Sequence, residues 1–201
     1  VAAGEFTFVG FYERRVRRIF PALFAMLLAV MLVAPAILLP SDLERLGVSA
    51  IATLLFGSNI LFWRQSGYFD PSSQINPLLH TWSLAVEEQF YIGFPILMLL
   101  IERYARRQIV PLLALAGVIS FALCLYFQPL RPTATFYLLP FRAWELLLGA
   151  LLAVGAVPPI THRLGRELIA GGALLMLMAS LLLLEEGPSF PGWVASFPVL
   201  A

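Results

Sequence analysis

Charged residues are scarce in this chain, and their scarcity excludes most classes of soluble protein. Asp, Glu, Lys and Arg make up 12% of the 201 residues, whereas ordinary soluble domains carry about 25%. Hydrophobic residues make up 60%, which is typical of a membrane protein. A formal net charge of +1 is too small to indicate a nucleic-acid partner. The single cysteine, Cys124, excludes a disulfide within the chain, and no metal-ligand cluster is predicted.

Long apolar runs occupy much of the remaining sequence. A helix that crosses a bilayer needs about 20 mainly apolar residues. Five runs meet this requirement, at 19–39, 84–101, 110–127, 135–154 and 168–184. The run 46–63 is long enough but contains Ser49, Thr53, Ser58 and Asn59. The sequence therefore predicts an all-α, polytopic transmembrane helix bundle with about five spanning helices and one exceptional segment.

Arginine-rich segments predict the orientation of these helices. They lie at 13–18, 102–107 and 161–167. Because basic loops stay in the cytoplasm, all three are expected there. If 19–39 crosses outward and 84–101 crosses back, then 46–63 cannot be a single crossing. We interpret 46–63 as re-entrant or interfacial, the alternative being that 102–107 breaks the charge rule.

Both ends of the sequence suggest a piece of a longer protein. The chain begins VAAGEF, without a methionine or a signal peptide. It ends in the apolar residues FPVLA. We therefore expect this chain to be the middle of a longer protein.

The stretch INPLLHTWSLAVEEQFY, residues 75–91, brings titratable side chains to an apolar helix. Asn76 and Pro77 predict a helix start. On a helix from there, His80, Glu87 and Tyr91 fall within about 40° of one another. Ser83 would lie at the edge of that face, and Glu88 about 100° away from Glu87. The spacing fits a polar network between helices as well as a functional site or a proton relay.

Two further segments carry paired charges. In RRVRRIFP, residues 14–21, Arg18 shares a helix face with Arg14 or with Arg15, an arrangement that can grip a phosphate. Anchoring at the membrane surface explains these arginines equally well. In FRAWELLLG, residues 141–149, Arg142 and Glu145 have the spacing of an ion pair within a helix.

Four segments together resemble the integral-membrane acyltransferase family 3, which includes bacterial O-antigen and peptidoglycan O-acetyltransferases. They are FYERRVRRIFPAL, SGYFDPSSQINPLLHTWSLAVEEQFY, FYLLPFRAWELLLGA and FPGW, in this order along the chain. The resemblance implies a multi-pass enzyme of the bacterial inner membrane without a permanently bound cofactor. It would move an acyl group, commonly acetyl from acetyl-CoA, to a hydroxyl of an envelope polysaccharide such as lipopolysaccharide or peptidoglycan.

The resemblance also implies a domain arrangement. Residues 1–201 would form the central part of a membrane-embedded acyltransferase domain, with bilayer lipid, acyl-CoA and the polysaccharide as partners. Many members add an extracytoplasmic domain of the SGNH type. The family's key histidine lies on a helix that would precede Val1, so the 201 residues alone are expected to be inactive.

Site residues follow from the family's motifs. The R-x-x-R motif falls on Arg15 and Arg18, the expected contacts of the CoA phosphates. The remaining motifs supply His80, Trp82, Ser83, Leu84 and Glu87, and then Arg142, Trp144 and Glu145.

These residues receive different expected roles. Glu87 would orient the histidine base, while His80 and Tyr91 would contact acyl or acceptor oxygens. Trp82, Ser83, Arg142 and Glu145 would line the acceptor side. The alternatives are a proton-coupled, polysaccharide or lipid-carrier transporter with His80 and Glu87 as relay groups, and a purely structural bundle.

Overall fold

The structure, a computed structural model, describes residues 7–66, 76–183 and 192–201. Residues 67–75 of the second resembling segment, Leu184 of the predicted span 168–184, and the first two residues of the FPGW segment lie outside these ranges. The described residues form helices and no strand, which confirms the predicted all-α bundle. The α-helices in these ranges are α1 (Phe8–Ile37), α2 (Pro40–Leu54), α3 (Ser58–Gln65), α4 (Thr81–Ala105), α5 (Ile109–Phe127), α6 (Pro132–Tyr137), α7 (Leu139–Ala153), α8 (Arg163–Leu183) and α9 (Ser196–Leu200).

Four helical stretches among the described residues are long and apolar enough to cross a membrane. They are Phe8–Ile37, Thr81–Phe127, Pro132–Ala153 and Arg163–Leu183. The 47-residue stretch Thr81–Phe127 contains two of the five predicted spans. It bends at Ala105, where φ is −148°, before a short 3₁₀ turn at Arg106–Gln108.

The arginines of 13–18 lie inside α1, not in a loop as the charge pattern suggested. Thr7 caps this helix, its hydroxyl accepting a hydrogen bond from Gly10 N at 3.3 Å. Arginine is a good helix former, so a basic segment does not end a helix. The chain leaves helical geometry at Leu38 and Leu39, because a residue before a proline disfavours that geometry. Pro40 then occupies the start of α2.

Helices α1 and α4 run antiparallel. Tyr12 Oη donates to Ile92 O at 3.2 Å, Arg15 pairs with Glu88, and Leu23 and Leu27 pack in one cluster with Leu78. Residues further along α1 therefore contact residues that come earlier in the sequence, from Ile92 back to Leu78. The end of α1 and the start of α4 therefore lie towards the same end of the bundle. This arrangement agrees with the re-entrant interpretation of 46–63, which stays a prediction.

Helices α2 and α3 attach to the start of α4 through hydroxyl groups. The hydroxyl oxygens of Thr53 and Thr81 lie 2.9 Å apart, and Ser58 Oγ donates to Thr81 O at 2.9 Å. Asn76 Nδ2 donates to Ser49 Oγ at 2.7 Å. Ser49, Thr53, Ser58 and Thr81 are all buried. Thr53 and Ser58 thus bind this segment to α4, and Ser49 binds it to Asn76 just before that helix.

The break between α2 and α3 depends on Phe56, which has a φ of +51°. Gly57 N donates to Ala52 O, and Phe56 N donates to Thr53 O, closing the end of α2. Gln89 Nε2 donates to Phe56 O at 2.9 Å and to Asn59 Oδ1 at 2.8 Å. Gln89 therefore satisfies the backbone carbonyl of Phe56 at the helix break and the side-chain amide oxygen of Asn59 beside it.

A second core joins α4, α5 and α7 through Ile101, Leu113 and Leu147. Helices α5 and α7 run antiparallel, since Phe127 faces Phe141 and the Cβ position of Gly117 lies 3.8 Å from Leu147 Cβ. Helix α8 packs against α9 and buries only Ser180 among its residues. The functional side chains discussed below lie where α4 meets α1 and α7.

We expect Gln89→Ala to destabilise the bundle by about 1–3 kcal/mol, because buried polar groups at Phe56 and Asn59 lose their partner. Unfolding of the purified protein by SDS titration in mixed micelles measures the change. Gln108→Ala is the matched control, since Gln108 is exposed and surface substitutions stay within about 0.5 kcal/mol. Equal stability of the two variants would show that Gln89 does not support the break.

Candidate active site

Glu87 lines a cavity of about 100 Å³ between α4 and α7. Helix α4 also contributes Trp82 and Ser83 to it, and helix α7 contributes Arg142 and Glu145. We call this space the Glu87 cavity. It brings together five of the predicted site residues, although Arg142 and Glu145 are more than 50 positions from Glu87 in sequence.

An ion pair forms one wall of the Glu87 cavity. Arg142 Nη2 lies 2.7 Å from Glu145 Oε2, with side chains 14% and 18% exposed. The Arg142 guanidinium also lies 5.1 Å from the centre of the Trp82 ring, on its face. Glu145 Oε1 is buried and has no hydrogen-bond partner among the described residues. This oxygen has unused acceptor capacity.

Ser120 of α5 fixes the helix turn that carries this ion pair. Its hydroxyl donates to Pro140 O at 2.7 Å and accepts a hydrogen bond from Trp144 N at 3.0 Å. Trp144 is buried and packs its ring 4.8 Å from that of Phe121. Because Trp144 lies between Arg142 and Glu145 in sequence, this contact holds both ends of the pair. Sequence inspection gave no functional weight to Ser120.

A second cavity, of about 380 Å³, lies between α1 and α4. Its polar lining residues include Arg18 of α1, His80 and Ser83, and its apolar lining includes Leu23 and Met26. We call it the Arg18 cavity. Arg18, His80 and Ser83 are exposed, so their polar groups are accessible to a ligand. Ser83 lines both cavities, which makes it their common wall.

Arg15 points into the α1–α4 contact and is already paired. Its Nε lies 2.8 Å and 3.1 Å from the two oxygens of Glu88, and its Nη2 lies 2.8 Å from Oε1. The guanidinium lies 3.1 Å from the centre of the Tyr91 ring. Glu88 is seven residues into α4, about 22 Å along the helix from Arg103. Arg15 is thus well inside the bundle, although the charge rule grouped 13–18 with 102–107 at one surface.

The predicted common face of His80, Glu87 and Tyr91 differs from the observed arrangement. Residues 76–80 form tight turns with i to i+3 hydrogen bonds, and α4 begins only at Thr81. Asn76 does act near the start, but its Oδ1 accepts from Leu78 N within these turns. Only His80 therefore lies outside α4, whereas Glu87 and Tyr91 keep the predicted i, i+4 spacing within it. The three side chains nevertheless have different surroundings. His80 faces the Arg18 cavity, Glu87 faces its own cavity, and Tyr91 lies beneath Arg15.

Glu88 is the site residue that sequence reasoning missed. Its predicted position, about 100° from Glu87 around the helix, does not indicate which residue it pairs with. The available signal was energetic: a carboxylate within an apolar helix is costly unless a cation pairs with it. Among the nearby arginines, only the fold identifies Arg15 as that cation.

Comparison with known proteins identifies the family. Residues 3–200 match the sequence profile described as an acyltransferase domain. The chain belongs to acyltransferase family 3. It is therefore a membrane acyltransferase by family, and the motif positions that suggested the resemblance lie within the matched range.

Individual relatives extend this finding. The chain is 31% identical over its whole length to an uncharacterized protein of Haemophilus influenzae, and it spans 86% of that protein. Over 71% of its length it is 34% identical to the peptidoglycan O-acetyltransferase OatA of Listeria monocytogenes. Over the same share it is 33% identical to the O-acetyltransferase OatA of Staphylococcus aureus. The matched part spans 24% of each OatA protein. No solved structure matches the chain.

We expect Ser120→Ala to destabilise this acyltransferase by about 1–3 kcal/mol, because Pro140 O and Trp144 N lose a buried partner. The measurement is SDS-titration unfolding in mixed micelles. Ser180→Ala is the matched control, since Ser180 Oγ, within the described ranges, donates to Met176 O of its own helix and to no other helix. If Ser120→Ala is no more destabilising than Ser180→Ala, Ser120 does not fix the α7 turn.

Proposed function

We propose that this chain belongs to a multi-pass enzyme of the bacterial inner membrane that transfers an acetyl group from acetyl-CoA to a hydroxyl of an envelope polysaccharide. Family membership supports acyl transfer, and the names of the two OatA relatives support O-acetylation of an envelope polymer. The observation that carries the proposal is the position of Ser83 between the two cavities. A donor held on one side of Ser83 lies next to an acceptor held on the other.

The Arg18 cavity is the proposed donor side. A guanidinium suits a phosphate because it offers parallel N–H donors in a planar fork. Arg18 is exposed within this cavity, and the apolar side chains of Leu23 and Met26 suit the uncharged part of an acyl donor. His80, in the same cavity, is proposed to donate a hydrogen bond to the acyl carbonyl oxygen.

The Glu87 cavity is the proposed acceptor side. The buried, unpartnered Glu145 Oε1 suits a sugar hydroxyl, and Arg142 holds the other oxygen of that carboxylate. Trp82 and Ser83 complete the wall that the acceptor contacts.

Glu87 is proposed to orient the imidazole base, which the family resemblance assigns to a preceding helix. The base takes the proton of the acceptor hydroxyl as its oxygen attacks the thioester carbonyl. A carboxylate beside the imidazole fixes its tautomer and favours the imidazolium that forms. CoA then leaves as the thiol, taking the proton from the imidazolium, and the acetyl ester remains on the polymer. Glu87 is exposed in the described part of the chain, so it is accessible to such a partner.

We expect Glu87→Gln to abolish acetyl transfer, because an amide does not stabilise an imidazolium as a carboxylate does. The assay measures CoA thiol release and polymer-bound acetyl in vesicles that contain the full-length protein. Glu102→Gln is the control, since Glu102 is exposed near the far end of the same helix.

Two results would contradict this proposal. Full activity of Glu87→Gln would remove Glu87 from the mechanism. Movement of a substrate across the vesicle membrane without thiol release by the unaltered protein would favour a transporter.

We expect Arg18→Lys to raise KM for acetyl-CoA about tenfold and to leave KM for the acceptor unchanged. The reason is that the lysine ammonium lacks the parallel N–H donors with which a guanidinium binds a phosphate. Arg17→Lys is the matched control, since Arg17 pairs with Glu13 on the exposed face of α1. Equal changes in both KM values would assign Arg18 a general structural role.

A further inference from the structure

The fold separates two arginines that the sequence grouped as one phosphate clamp. Arg15 directs Nε and Nη2 at Glu88, with its side chain 17% exposed, whereas Arg18 is exposed in the Arg18 cavity. A fork can grip a phosphate only with N–H groups that are not already used. A phosphate held by Nε and Nη2 of Arg15 would displace Glu88 and would leave that carboxylate in the helix contact without a counter-charge.

The setting of Arg15 also determines where Arg18 points. Three residues on a helix correspond to a rise of about 4.5 Å and a rotation of about 300°. The rotation of α1 that places Arg15 on Glu88 therefore places Arg18 towards His80 and Ser83. The hydrogen bond from Tyr12 to Ile92, less than one turn earlier on α1, holds the same rotation.

The groups around Glu88 fix the orientation of the Arg15 guanidinium. Both carboxylate oxygens accept from one guanidinium, which fixes its plane as well as its distance. The Tyr91 ring lies against the face of that plane, 3.1 Å from ring centre to Cζ. Charged hydrogen bonds and a cation–π contact together restrict Arg15 to one orientation.

We propose that Glu88 is a positioning residue for the acyl donor. It holds Arg15 against Tyr91, fixes the rotation of α1, and so directs Arg18 into the donor cavity. Glu88 itself touches neither donor nor acceptor. This inference rests on the proposed acyl-CoA donor, and it reassigns Arg15 from donor contact to support of Arg18.

The test is a double-mutant cycle of Glu88→Gln and Arg15→Gln in vesicles that contain the full-length protein, with KM for acetyl-CoA as the readout. KM is independent of how much protein folds, so a loss of stability alone does not change it. We expect each single variant to raise KM for acetyl-CoA about tenfold and to leave KM for the acceptor unchanged. The double variant should be no worse than either single variant, because Glu88 acts only through Arg15.

Matched variants complete the experiment. Glu13→Gln removes the acid of the exposed Glu13–Arg17 pair on the same helix and should leave both KM values unchanged. Glu88→Asp keeps the charge with a shorter reach and should raise KM for acetyl-CoA by less than Glu88→Gln. It also serves as the measured variant if Glu88→Gln does not accumulate in the membrane.

Three outcomes would overturn the inference while the proposed function stands. Additive effects in the double variant would mean that Glu88 acts independently of Arg15. An unchanged or lower KM in Glu88→Gln, with a raised KM in Arg15→Gln, would make Arg15 the direct donor contact. A fall in kcat alone would place Glu88 in another step. If the unaltered protein releases no CoA thiol, the proposed function itself fails, which is a separate result.

Discussion

Helix α4 carries carboxylate and amide groups through a region of apolar helices, where each unpaired polar group is costly. The fold meets this constraint for Glu88 and Gln89 by giving each a partner outside α4. Glu88 pairs with Arg15 of α1, and Gln89 bonds to Phe56 and Asn59 at the break between α2 and α3. The polar groups of α4 therefore determine which helices surround it and how they are rotated.

The candidate site follows from the same constraint. Two neighbouring residues of α4, Glu87 and Glu88, point to different surroundings because helical neighbours are separated by about 100°. Glu88 is buried in a contact with α1, whereas Glu87 remains exposed beside α7. The paired acid holds the helices, and the exposed acid stays available for chemistry. This separation of roles explains why an apolar helix contains adjacent glutamates.

Contacts with α5 position helix α7 at the site. A hydroxyl from α5 holds its first turn, and the buried Trp144 anchors it between Arg142 and Glu145. The Arg142–Glu145 pair is consequently held against Trp82 of α4. The two cavities and their shared residue Ser83 thus depend on contacts among α1, α4, α5 and α7, none of which is local in sequence.

The sequence by itself determined the all-α membrane architecture, because apolar runs of about 20 residues are typical of membrane-spanning helices. Its motifs were sufficient to suggest the family. It also determined the i, i+3 pair of Arg142 and Glu145, because that contact lies within one helix. Only the tertiary structure decided that Arg15 lies beside Glu88, that α4 begins at Thr81, and that Arg18 rather than Arg15 shares a cavity with His80. Periodicity along one helix gives the angle between its side chains. Which of several arginines meets a given carboxylate depends on the axial offset and rotation between helices, which are set by contacts distant in sequence.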